Sequence, residues 1–172
     1  EAPKDKDIVL ARNDQLMDKS DLDALDLIDS EVMVEADCLK KWAIEAEFEA
    51  KTVKGVTQVQ GSSASVGIID SHLAFSNGFS QGYPRSGANI SCVSISGHNN
   101  QMERDYAFES RVHINDLPSP SSVGLLSGQR AVARIGARKP PTGNYPIVYD
   151  ERVASSLVGH FINAINGNSI VR

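Results

Sequence analysis

Four histidines, two cysteines and two serine runs are the side chains of this 172-residue chain that could do chemistry. A hydrolytic zinc site needs three protein ligands and one open position, and helix-borne versions set two histidines one turn apart. His72, His98, His113 and His160 do not meet that demand, since no two lie within twelve residues of each other. His72 and His98 fall beside predicted turns. His160 falls among Leu157, Val158, Phe161, Ile162 and Ile165, a core-like setting that suits a structural histidine. Cys38 and Cys92 follow no metal or redox spacing, so two reduced, packed thiols are expected. Serine catalysis wants a strained G-x-S-x-G elbow, and none occurs. Ser62, Ser63 and Ser65, and then Ser91, Ser94 and Ser96, lie in strand-like runs as small polar residues of a sheet face. Asp21, Asp23 and Asp26 lack the glycine and distal glutamate of a calcium loop. Glu45, Glu47 and Glu49 stand two apart, so a helix points them in different directions. No Walker loop or dinucleotide fingerprint is present, and no residue is assigned a catalytic or metal-binding role.

The elements around these residues read as α+β: an antiparallel sheet with helices packed on it, plus a strand-helix unit at the end. Ser20 can cap a short helix with Leu22, Leu25 and Ile28 on one face. Ser30 or Asp37 starts the next helix, where Leu39, Trp42, Ala43, Ala46, Ala50 and Val53 repeat at helical spacing and Gly55 ends it. From Val56 to Val112, serines, glycines and β-branched residues predict a meander, with turns at Asp70-Ser71, Asn77-Gly78 and Gly97–Asn100. Its small residues predict close approach by another backbone. Glu103, Arg104 and Asp105 read as a surface charge pair flanking a strand. Ser119 and Pro120 open a further helix with a stripe of Leu125, Val132 and Ile135, closed by Gly136. Arg130, Arg134 and Arg138 stand four apart, as a solvated face or a contact for an acidic partner such as the amino-terminal segment. A domain boundary falls in the basic, proline-containing stretch after it, dividing residues 1–138 from 139–172. Tyr145–Asp150 reads as a short buried strand, and Glu151 to Asn166 as an apolar helix.

Composition narrows the classes. A hydrophobic content of 41% suits a globular chain, and no apolar run reaches the eighteen residues of a membrane span. The net charge of −5 is unevenly spread: residues 1–51 hold fifteen acidic and seven basic side chains, the remainder seven and ten. Neither part has the dense basic surface that duplex DNA requires, so direct nucleic-acid binding is not expected.

Four stretches together resemble the TldD/PmbA family, the modulators of DNA gyrase now regarded as peptidases. Gly61-Ser62-Ser63-Ala64-Ser65 with Leu73 to Phe79 resembles its serine-rich and S-N-G-F block, and Met102 to Tyr106 its M-E-R-D-Y block. Ala131 to Lys139, with Thr142-Gly143 and Tyr145-Pro146, resembles its linker into a second domain. The final helix resembles the one that bears H-E-x-x-x-H in the TldD branch, but Gly159 and Ala164 fall at the two metal histidines and His160 at the glutamate. The chain is therefore similar to the PmbA (TldE) branch. The family's chains are longer at both ends, so an internal fragment is expected.

The resemblance implies a subunit of a cytoplasmic metallopeptidase complex that cleaves peptides or unfolded proteins. It implies no cofactor in this chain, with zinc only in a TldD-like partner. It implies association with that partner or with itself as a dimer, and no direct contact with nucleic acid or membrane. Cut from the next domain, the last helix is expected to pack its Val153, Leu157, Phe161 and Ile165 face back on the chain or on another copy. A non-enzymatic binding or regulatory scaffold is the alternative.

Overall fold

The computed structural model describes residues 9–16, 22–167 and 170. The chain divides into two compact units, Glu1–Ala137 and Arg138–Arg172.

In the first unit, alanine, lysine and glutamate favour helix at residues 36–52, and α1 (Ala36–Thr52) forms there. Asp37 in its first turn and Lys51 in its last complement the helix dipole, and Lys51 pairs with Glu47 one turn back. Its N-cap is Glu35, which makes no side-chain cap bond, so neither Ser30 nor Asp37 starts it. The chain leaves at Val53 in extended conformation, and Gly55 takes φ +105°, open to glycine and strained for other residues.

Three strands follow as an antiparallel meander: β1 (Val56–Ala74), β2 (Ser80–Ser96) and β3 (Glu103–Arg111), in the order β1-β2-β3. The expected turn at Asp70-Ser71 is absent. Those residues pair with Pro84 and Tyr83, and the chain reverses only at Asn77-Gly78, where Gly78 has φ +93°. There Phe75 N–H donates to the Phe79 carbonyl and Phe79 N–H to Asn77 Oδ1, closing the turn. Because β3 pairs only with Ala88–Ser96, the far part of the β1–β2 hairpin is a two-stranded arm.

The next helix, α2 (Pro120–Ala133), starts as expected: Ser119 Oγ accepts from the Ser122 N–H at 3.3 Å, and Pro120 stands at the first helical position. Its packing face is not the expected leucine and isoleucine stripe. Ile135 lies beyond the helix and is 48% exposed, while Val123, Gly124, Ser127, Gly128 and Ala131 are buried. Gly124 and Gly128 lie against the α1 backbone: a Cβ on Gly124 would fall on the Ala46 carbonyl, and one on Gly128 would stand 3.0 Å from the Ala50 carbonyl oxygen. The core joins Ala46, Ala50, Ile90, Cys92, Ala107 and Val123, edged by Trp42, Val59, Leu117 and Leu126. Ser94 Oγ hydrogen-bonds Ser127 Oγ, and Ser96 Oγ donates to the Ala131 carbonyl at 2.6 Å, so the buried hydroxyls are partnered. Both cysteines are free thiols, Cys92 buried and Cys38 half-buried.

Residues 23–25 form a single 3-10 turn, not the expected longer helix; its proposed cap, Ser20, lies outside the described residues. In the second unit, residues 145–150 form no strand and are exposed, which corrects the buried strand expected there. A strand needs a neighbour for its backbone groups, and none pairs with these residues among those described. The helix is present: α3 (Glu151–Ala164) is capped by Asp150, whose side chain accepts from Arg152 N–H. It holds no buried residue, and Phe161 is 63% exposed, so the core-like surroundings expected for His160 are not found. No described helix is long and apolar enough to cross a membrane.

Gly124→Ala forces its methyl into the Ala46 backbone and should cost about 1–3 kcal/mol in denaturant unfolding, as overpacking does. Gly61→Ala faces open space within 4 Å and should leave the midpoint nearly unchanged.

Candidate functional site

The side chains that could act are spread over four places. The first is a polar clasp beside β2. Ser86 Oγ accepts from the Asp29 N–H at 2.9 Å, and Ser86 N–H donates to the Leu27 carbonyl at the same distance. The buried Asp29 carboxylate accepts from Ile114 N–H at 2.6 Å and from Glu31 N–H at 2.8 Å. His113 Nε2 stands 3.1 Å from the Asp26 carbonyl, so it is the nitrogen bearing the proton, and 3.3 Å from Asp26 Oδ2. The Ile114 and Glu31 amides, helped by His113, hold the Asp29 carboxyl below its ordinary range. The Asp26 carbonyl raises His113 first, and the carboxylates of Asp26, Asp29 and Asp116 add to it.

The second place is the M-E-R-D-Y block. Asp105 is buried, which corrects the surface pair expected there. Arg134 reaches Glu103 at 3.5 Å and Asp105 at 3.7 Å, and Arg130 donates to the Tyr106 carbonyl at 3.3 Å. The acidic partner of Arg134 is thus β3, brought under α2 by the packing. Tyr106 and Phe108 alternate onto the opposite face and stay exposed.

The third is a groove of ≈490 Å³ on the face of the β1–β2 hairpin that carries no helix. Its floor is the cross-strand pair Gly67 and Gly87, with nothing within 4 Å of a Cβ on either. Ile69, Tyr83 and Arg85 line one part and Asn89 another. Isolated glycines inside strand patterns mark places where another backbone can approach closely, a signal at Gly67 and Gly87 that the sequence reading did not use. Asp29 and Ser86 gave no such signal, because 57 residues separate them.

The fourth is α3, which carries Gly159, His160 and Ala164; His160 is exposed. The hydrogen and methyl side chains of Gly159 and Ala164 have no lone pair, so neither can ligate a zinc ion. His72 hydrogen-bonds Ser80 Oγ at 2.9 Å, and His98 is exposed beside the β2–β3 turn. Among the described residues, no three His, Cys, Asp or Glu side chains group so as to hold a metal ion.

A family model described as the PmbA/TldA metallopeptidase central domain matches residues 18–137. The metalloprotease PmbA of Escherichia coli O157:H7 is 33% identical over 119 residues, covering 69% of this chain and 26% of that protein. A PmbA homolog of Haemophilus influenzae is 29% identical over 162 residues, 91% of this chain and 36% of its own. The crystal structure of a Bacteroides thetaiotaomicron protein described as a modulator of DNA gyrase matches with a TM-score of 0.83 at 26% identity, over 98% of this chain and 38% of that one. One from Thermotoga maritima, similarly described, shares the fold at a TM-score of 0.55 and 17% identity, over 64% of this chain and 25% of that one. This chain belongs to the PmbA/TldD metallopeptidase family. It spans about a quarter to a third of the length of the two PmbA relatives. The α+β architecture expected from the sequence is that of the Bacteroides structure.

The clasp should respond to pH from both sides. The stabilisation from a lowered Asp29 is present above its ordinary value of 3.8 and is lost as pH falls through the lower folded value. That from a raised His113 is present below 6.5 and is lost as pH rises through the higher folded value. Melting curves should show the gap between wild type and Asp29→Asn narrowing below that carboxylate range. The gap to His113→Gln should be wider at acidic than at alkaline pH.

Proposed function

We propose that this chain is part of a PmbA/TldE-like subunit of a cytoplasmic metallopeptidase complex that cleaves peptides or unfolded proteins. The zinc belongs to a TldD-like partner subunit. The carrying observation is the chemistry of the donor positions: Gly159 and Ala164 offer no atom that could bind a divalent cation. Family membership supports the peptidase setting. No step of hydrolysis is assigned to a residue of this chain. Its part is to present surface to the substrate and to hold the partner, and its exposed apolar residues, Tyr106 and Phe108 on β3 among them, suit such a role.

The test uses the full-length protein and a TldD-like protein from the same source. Peptide hydrolysis is expected only when the two are mixed, and metal analysis should find zinc in the partner alone. One tightly held zinc per copy of this chain's full-length protein, with hydrolysis in the absence of any partner, overturns the reading.

A further inference from the structure

The hairpin groove carries an inference beyond family membership. Four cross-strand pairs lie along it on one face: Ser65 with Asn89, Gly67 with Gly87, Ile69 with Arg85, and Ser71 with Tyr83. The six steps from Ser65 to Ser71 reach roughly 20 Å at ~3.3 Å per residue, the span of a short extended peptide. The two glycines leave the floor as bare backbone, so another main chain can approach closely. Tyr83 and Ile69 offer apolar walls, exposed by 44% and 71%.

Charge selects the occupant. No aspartate or glutamate lines the groove. Arg85 is its sole charged lining residue, and its side chain has no hydrogen bond or ion pair with any described residue. It stands between Gly87 and Tyr83, with the groove continuing on both sides. A carboxylate within a passing chain meets it there, while a chain terminus would leave half of the groove empty.

We propose that this groove binds an extended peptide segment whose main chain packs closely over Gly67 and Gly87 and whose one internal aspartate or glutamate is held by Arg85. The inference rests on the reading of the chain as a peptide-handling subunit and adds a substrate preference to it. Guanidinium and carboxylate match as donor and acceptor forks.

Fluorescence anisotropy with the full-length protein tests this, using labelled eight-residue peptides of uncharged residues around a central Glu, Gln or Lys. The Glu peptide should bind about tenfold more tightly than the Lys peptide, the size of one charge-assisted hydrogen bond. Arg85→Glu should reverse that order. Gly87→Ala should weaken all three peptides while leaving the melting temperature nearly unchanged, since its methyl enters open space. Amidating the peptide's end should change nothing. Equal binding of the Glu and Lys peptides, no binding to the full-length protein, or loss of binding on amidation overturns the proposal. Hydrolysis plays no part in this measurement. Charge-selective binding without partner-dependent cleavage would sink the peptidase reading alone, and the reverse would sink this inference alone.

Discussion

Two helix backbones meet where Gly124 and Gly128 of α2 lie on the carbonyls of Ala46 and Ala50 in α1. No side chain larger than hydrogen fits on the α2 side of that contact. The sheet beneath is built to the same scale. Ala88, Cys92, Ser94 and Ser96 of β2 and Ala107 of β3 are buried and small, and Ile90 is the largest fully buried side chain. A core of this kind draws less on large apolar area than on close contact and on completed hydrogen bonds. The Ser94–Ser127 pair and the Ser96 bond to Ala131 are part of its packing, since a buried hydroxyl without a partner would be costly.

That tight layer fixes what the periphery can do. With α2 held against the sheet, Arg130 and Arg134 are brought to β3, and Arg134 meets the Glu103 and Asp105 carboxylates. This gives the M-E-R-D-Y block a physical role as the polar seam between helix and strand. On the other side, Asp29 and Ser86 tie the segment before α1 to the edge of β2, just where β3 stops pairing. Beyond that clasp the hairpin runs on as a two-stranded arm, a structure that is marginal in water without further cover. Asn77 at its tip donates to the Ala11 carbonyl, so the amino-terminal segment touches the arm at both ends. Among the described residues no strand pairs with the outer edge of β1, and nothing lies within 4 Å of a Cβ built on Gly67 or Gly87. An arm held by polar contacts and bare on one face is suited to receive another chain, in keeping with the proposed division of labour between this subunit and a zinc-bearing one.

Local chemistry was legible in the residues themselves. The alanine-rich α1, the Asn77-Gly78 reversal, the Ser119-Pro120 helix start and the small-residue meander each depend on a few neighbouring positions, where propensity and turn geometry act. Packing partners were not legible. The sequence pointed to Leu125, Val132 and Ile135 in α2, because apolar periodicity favours large side chains. Burial went to the glycine and serine positions, because α1 comes too close for anything else. Asp105 read as surface charge because nothing adjacent to it announces Arg134 across 29 residues. The Tyr145–Asp150 run read as a strand because β-branched and aromatic types favour one, yet pairing needs a neighbour that only the assembled chain can supply. Residue type therefore settled which atoms are on offer and where the backbone turns. Tertiary structure alone decided which of them meet, since contacts between distant segments depend on how closely two backbones can approach.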